Sequence, residues 1–136
     1  MSSAPGEPGS TSKLCLSCHD GTIALDSYGG FTGTPVGAMT AAGYASADMG
    51  NDLQNDHPIG FAYPTTTEDP EIKESTTTVS IGDTPVSGTI ANLMLDGGNV
   101  ECLSCHDVHN TNAVASTKLL LVSNTNSGLC LTCHTK

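Results

Sequence analysis

The chain has 136 residues, with 4 Lys and Arg against 14 Asp and Glu for a net charge of −10, and it holds 15 Gly, 7 Pro, 2 Phe, 3 Tyr and no Trp. So acidic a surface repels nucleic acid and anionic lipid and leaves cationic proteins, metal ions or further copies of the chain, held by apolar contacts, as its partners. The shortage of large apolar side chains excludes a conventional thick core, so one domain with an extended arm is expected, built around something other than its own side chains.

In chain order, residues 1–12, MSSAPGEPGSTS, read as an N-terminal arm, flexible or docked on a neighbouring subunit. Residues 13–27 place Cys15-Leu16-Ser17-Cys18-His19 on a short helical turn, broken by Gly21 and then by Tyr28-Gly29-Gly30. Residues 31–56 are loop, with one short helix expected around residues 46–54. In Asn55-Asp56-His57-Pro58 the proline pushes His57 towards an extended backbone. Residues 64–91 carry the best strand signal: Val79 and Ile81 alternate about Ser80, Gly82-Asp83-Thr84-Pro85 turns the chain, and residues 86–90 return. Such a small β-hairpin is marginal alone and needs a surface to lean on. A short apolar segment over 90–95 and the turn Asp96-Gly97-Gly98-Asn99 lead into Cys102-Leu103-Ser104-Cys105-His106. After His109 and the apolar residues 119–122, Gly128-Leu129 leads to Cys130-Leu131-Thr132-Cys133-His134.

The longest apolar run, 119–122, is four residues, far short of a membrane span. No segment has the charged start and apolar middle of an export leader, so the expectation is that the leader has already been removed from, or replaced at, this N-terminus.

The three pentads consume all 6 cysteines. Cys-x-x-Cys-His is the attachment signature of c-type haem: two thiols add across the haem vinyl groups and the adjacent imidazole reaches the iron. In a helix, positions i, i+3 and i+4 share one face, so one porphyrin meets all three side chains. With 5 His in 136 residues, chance would place His after all three pairs with a probability of about (5/136)³, roughly 5 in 100,000. A zinc site drawn from Cys102, Cys105, Cys130 and Cys133 would need a 24-residue interval, longer than zinc-ribbon spacing, and would strand Cys15 and Cys18. A thioredoxin-like redox site needs a βαβ context, which is absent from the pattern. The expectation is three covalent haem c groups in a chain with few secondary structures: haem-cored, mostly loop, with short α-helices at the CxxCH motifs and one small β-hairpin. Residues 13–136 form a single triheme domain, with a paired-motif module over 100–136.

Three six-coordinate irons need six axial ligands. His19, His106 and His134 are proximal, and the other histidines, His57 and His109, are the distal candidates. His109 lies three residues beyond His106, on the same side of that porphyrin, so it serves a different haem and stitches two haems together. One iron is short of a histidine. Met39, Met49 or Met94, the N-terminal amine or Met1, or an open position completes the count.

The segments CLSCHDVHN, LLLVSN and LCLTCH resemble the doubled CXXCH module of multihaem c-type cytochromes, and CLSCHDG with DHPIGF resembles segments of similar proteins in metal-reducing bacteria. The resemblance covers residues 13–28, 52–63 and 100–136. It implies thioether cysteines at Cys15, Cys18, Cys102, Cys105, Cys130 and Cys133, proximal His19, His106 and His134, and distal His57 and His109. Members of this family are usually bis-histidine throughout, and this chain departs from that by one histidine. Some similar cytochromes polymerise into extracellular filaments. The implied function is electron transfer without bond chemistry, in an exported protein that is extracellular or periplasmic. Its partners would be its own copies, redox proteins or extracellular acceptors, in a polymeric conduit or as a monomeric shuttle. An open iron would instead suit an enzyme or sensor.

Overall fold

The computed structural model describes residues 6–20, 47–50, 52–54 and 56–136. The breaks expected at Gly21 and at residues 28–30, and the candidate ligands Met1 and Met39, lie outside these residues. The chain divides into two compact units, Gly9–Pro58 and a second made of Met1–Pro8 with Ile59–Lys136.

Within Gly9–Pro58 the described residues carry one helix, α1 (Ser10–His19). Extended Gly9 caps it, its carbonyl accepting from the Lys13 amide at 2.9 Å, and no Gly or Pro interrupts the ten residues that follow. The helix takes in Ser10, Thr11 and Ser12, residues read from sequence as arm, and Ser12 is fully buried. The helix expected around residues 46–54 is absent from the described part of that stretch. Asp48 Oδ1 accepts from the Gly50 amide at 2.8 Å and Asp52 Oδ1 from the Gln54 amide at 3.1 Å. These side chains take backbone donors that a helix would direct to carbonyls, and Gly50 sits at φ +67.

The other unit is mostly loop, with short helices and two small antiparallel sheets. The first pairs β1 (Phe61–Ala62) with β4 (Asn99–Val100), in register Phe61↔Val100. The second is the hairpin of β2 (Thr78–Ile81) and β3 (Val86–Thr89), in register Ile81↔Val86 to Thr78↔Thr89, with the Ser80 and Ser87 hydroxyls paired across it at 3.0 Å. The expectation of one hairpin is therefore corrected to two sheets. The β1–β4 sheet depends on the turn at Asp96-Gly97-Gly98-Asn99, where Asp96 and Asn99 exchange both backbone bonds at 3.0 Å. Gly97 at φ +58 and Gly98 at φ +88 supply the two left-handed positions that such a two-residue turn requires.

Helix α2 (Ile90–Leu93) follows β3 directly, its N-terminus capped by the Thr89 hydroxyl accepting from the Asn92 amide at 3.2 Å. It drives Ile90, 0 % exposed, into a cluster with Ile81, Met94 and Leu121, flanked by Tyr63, Val79, Leu93, Leu95, Val122, Leu129 and Cys133. Two of these flanking residues, Leu129 and Cys133, belong to α3 (Gly128–Cys133), so the aliphatic core and the last cysteine motif share one packing surface.

Candidate haem sites

The three motifs adopt three backbones. Cys15 and Cys18 lie on α1, which stays helical through His19. Cys102 lies on a 3-10 turn (Cys102–Ser104) that ends at Cys105, and Cys130 and Cys133 lie on α3, which ends before His134. The expectation of an α-helix at every motif is thus corrected at the second one. There Glu101 and Ser104 form a reciprocal capping box, the Ser104 hydroxyl accepting from the Glu101 amide at 3.0 Å, and this closes a single tight turn. The chain then leaves, because Cys105 O accepts from the Leu121 amide at 2.9 Å and the Asp107 amide donates to Leu119 O at 2.8 Å. These bonds make His106 the antiparallel bridge partner of Leu120.

His134 is held in a comparable way. It bridges Ile72, the Lys73 amide donating to Cys133 O at 2.7 Å and the Thr135 amide to Glu71 O at 2.8 Å. Lys73 Nζ adds a bond to Leu131 O at 2.6 Å. His19 keeps its helical backbone, and its carbonyl accepts from the Met49 amide at 2.8 Å.

The ring nitrogens carry the chemical information. His19 Nδ1 lies 2.8 Å from Ala47 O, His106 Nδ1 3.0 Å from Lys118 O and His57 Nδ1 2.8 Å from Pro58 O. A carbonyl oxygen accepts and cannot donate, so in each case Nδ1 carries a proton, and in the neutral ring Nε2 then carries the lone pair. That tautomer is the one needed for iron ligation through Nε2, with ring orientation fixed by the carbonyl. For His109, an exposed residue, the bond to the loop is through its backbone amide, to Asp107 Oδ1 at 3.0 Å.

His106 and His109 both line an open groove of about 390 Å³, together with Leu103, Leu93, Ile81 and Leu121. The lining also holds polar Asn92, Asp107, Thr111 and Asn112, and its aliphatic side chains beside two imidazoles suit a flat apolar macrocycle whose metal needs nitrogen ligands. Of the candidate thioethers, Met94 is 3 % exposed within the aliphatic cluster, and Met49 is 37 % exposed.

None of the six cysteines, all among the described residues, is in a disulfide. Burial pushes the Cys105 thiol up to about 11, and charge on Cys133, Cys130 and Cys102 would oppose its ionisation further, so the thiols of the two C-terminal motifs lie within electrostatic reach of one another. Burial also raises Cys133, against the opposing effects of a hydrogen bond with Tyr63 and the charge of Lys73. Tyr63, which donates to Lys73 O at 2.9 Å, is itself pushed well above the ordinary phenol range, chiefly by burial. Among the described residues no three or more His, Cys, Asp and Glu gather as a metal-binding group.

The residues present fit haem c: paired thiols at the attachment spacing, an imidazole next to each pair, and at His19 and His106 the tautomer that presents Nε2. Sequence reasoning missed Tyr63 and Asp107, the first because a lone Tyr carries no pattern. The second had a readable signal, an Asp directly after the motif histidine and two residues before another His.

Among the described residues no helix is long and apolar enough to cross a membrane. No curated protein and no solved structure matches the chain. Residues 95–136 match the family described as the doubled CXXCH motif, which supports reading the chain as a multihaem c-type cytochrome that binds haem covalently.

Proposed function

We propose that this chain is a triheme c-type cytochrome that transfers electrons and catalyses no bond chemistry, and that it works as a subunit of an extracellular polymeric conduit. The observation that carries the haem assignment is the Nδ1 bond of His19 and His106 to a backbone carbonyl, which presets each motif imidazole for iron. Haem c bound at these motifs supplies a one-electron iron couple. The chain holds each group by Cys15 and Cys18, Cys102 and Cys105, or Cys130 and Cys133, and orients His19, His106 and His134 through the backbone bonds described above.

His57 and His109 are the distal ligands. His109 serves the haem on Cys130 and Cys133 or its nearest neighbour, a reading supported by its place three residues beyond His106, which is committed to its own haem. One iron remains without a histidine. Met39, Met49 and Met94 stay its candidate thioethers, of which Met94 is packed in the aliphatic core.

The polymer reading is supported by composition: so few large side chains in a Gly- and Thr-rich chain leave the porphyrins as the main apolar mass, and long loops suit wrapping a neighbour. Covalent haem attachment takes place outside the cytoplasm, so the protein is exported. Electron microscopy of the natively secreted protein, with a haem-stained gel alongside, tests the assembly. Haem-positive filaments are expected, and haem-positive monodisperse particles would point to a periplasmic shuttle instead.

A further inference from the structure

The residue that follows the histidine of the second motif, Asp107, is bonded in both directions along the chain. Its amide donates to Leu119 O at 2.8 Å, the same pairing that makes His106 the partner of Leu120. Its carbonyl accepts from the Asn110 amide at 3.0 Å, closing a β-turn over Asp107-Val108-His109-Asn110, with Asn110 at φ +55. Its carboxylate spans the loop: Oδ1 accepts from the His109 amide at 3.0 Å and Oδ2 from the Asn112 amide at 2.6 Å, and the Thr111 amide adds a further bond. These donors hold the carboxyl below the usual carboxylate range, the Asn112 amide most of all.

The far end of the loop is also anchored. A Cβ on Gly82 would meet Asn112 O at 2.6 Å, so the hairpin turn lies against the loop, and Asp83 Oδ2 accepts from the Ala115 amide at 2.7 Å. His109, the exposed residue that carries an imidazole, therefore rides on a short arch whose near end is set by one carboxylate.

We infer that Asp107 is a positioning residue: its carboxylate fixes the His109 backbone relative to His106 and so sets where the second imidazole can meet an iron. The inference rests on the reading of His109 as a distal ligand. Asp107 itself touches no metal in this role. Alanine removes both carboxylate acceptors at once and keeps the carbonyl bond to Asn110. Asparagine keeps Oδ1 but puts an N–H₂ donor where Oδ2 accepted, so it frees the Asn112 end while His109 keeps a weaker hold.

The test uses the full haem-loaded protein, with the variants Asp107→Ala, Asp107→Asn and His109→Ala, read by optical and electron paramagnetic resonance spectra and by haem content. His109→Ala is expected to turn one haem from low-spin to high-spin or to new ligation. Asp107→Ala is expected to perturb that same haem, giving a mixture of spin states with the haem content unchanged, and Asp107→Asn a smaller share. Millimolar imidazole should restore the low-spin signal in both Asp107 variants by filling the position His109 has left, while the haems that His109→Ala leaves untouched keep their spectra, which a merely structural loss would perturb as well. If His109→Ala perturbs a haem and haem-loaded Asp107→Ala has the spectra of the unsubstituted protein, the inference is overturned while the ligand reading stands. If His109→Ala changes no haem, the ligand reading fails and the inference with it. Should Asp107→Ala lose haem or fail to accumulate, Asp107→Asn decides: perturbation of the His109-dependent haem with imidazole rescue supports the inference, and an unchanged spectrum refutes it.

Discussion

Two copies of one pentad, 28 residues apart between Cys102 and Cys130, fold differently, and the hydroxyl of the third residue is used differently in each. Ser104 and Thr132 are both buried. The Ser104 hydroxyl accepts from the preceding Glu101 amide and closes a 3-10 turn, whereas Thr132 Oγ1 donates to Gly128 O at 3.0 Å, one α-turn back, and rides a true α-helix. Both segments nevertheless end alike, with the histidine taken off the helical path into a bridge, His106 with Leu120 and His134 with Ile72. What the two copies share is the cysteine spacing and the backbone clamp on the histidine. A helix is one way of meeting the spacing, and the clamp comes from residues far away in sequence.

The comparison is broken most severely by removing the thiols. Replacing both Cys130 and Cys133 by Ala, or both Cys102 and Cys105, should each lower the haem content per chain by one, measured as the alkaline pyridine haemochrome against protein concentration. If the helical motif lost its haem and the 3-10 motif did not, the equivalence of the two copies would fail.

Next in size is Leu121→Ala. Leu121 is 5 % exposed, fills the aliphatic cluster, and its amide holds Cys105 O. A large-to-small change at such a site costs about 2–5 kcal/mol. Thermal unfolding of the haem-loaded variant should show that loss together with a spectral change at the haem on Cys102 and Cys105.

Smaller is the contrast between the two hydroxyls. Ser104→Ala breaks the capping box and should cost about 1 kcal/mol. Thr132→Ala should cost less, because a hydroxyl bonded back to the i−4 carbonyl adds little to a helix. Denaturant unfolding of both variants gives the order, and equal costs would mean the hydroxyls do not distinguish the two motifs.

The smallest effect lies away from the motifs, at Glu68. Its carboxylate is held below the ordinary range by the Thr65 amide, at 2.9 Å, and by the Thr65 hydroxyl, at 3.0 Å. A depressed carboxylate contributes stability above its unfolded value and loses it as pH falls through the folded one. The thermal midpoints of the native protein and of Glu68→Gln should therefore differ slightly at neutral pH and converge in acid. A difference that persisted in acid would assign it to something other than this titration.

The chemistry of the motifs was legible in the sequence because a covalent attachment demands a fixed spacing whatever the backbone does. The β2–β3 strands and the turn at residues 96–99 were legible because alternation at Val79 and Ile81 and the Gly97-Gly98 pair act locally. The β1–β4 sheet was not, since two-residue strands carry no periodicity. Nor was the path of the chain after the 3-10 turn at Cys102, which depends on a partner segment beginning at Leu119. The helix expected around residues 46–54 failed for a local reason that composition conceals: Asp48 and Asp52 spend their carboxylates on nearby amides.

The central claim is that each pentad carries one haem. The intact mass of the natively exported protein, taken under denaturing and reducing conditions, tests it most directly, because thioether-linked haem survives where loosely bound haem and metal ions are lost. The account predicts the mass of the polypeptide plus three haems. A mass equal to the bare chain, or to the chain with only the two C-terminal haems, would contradict it.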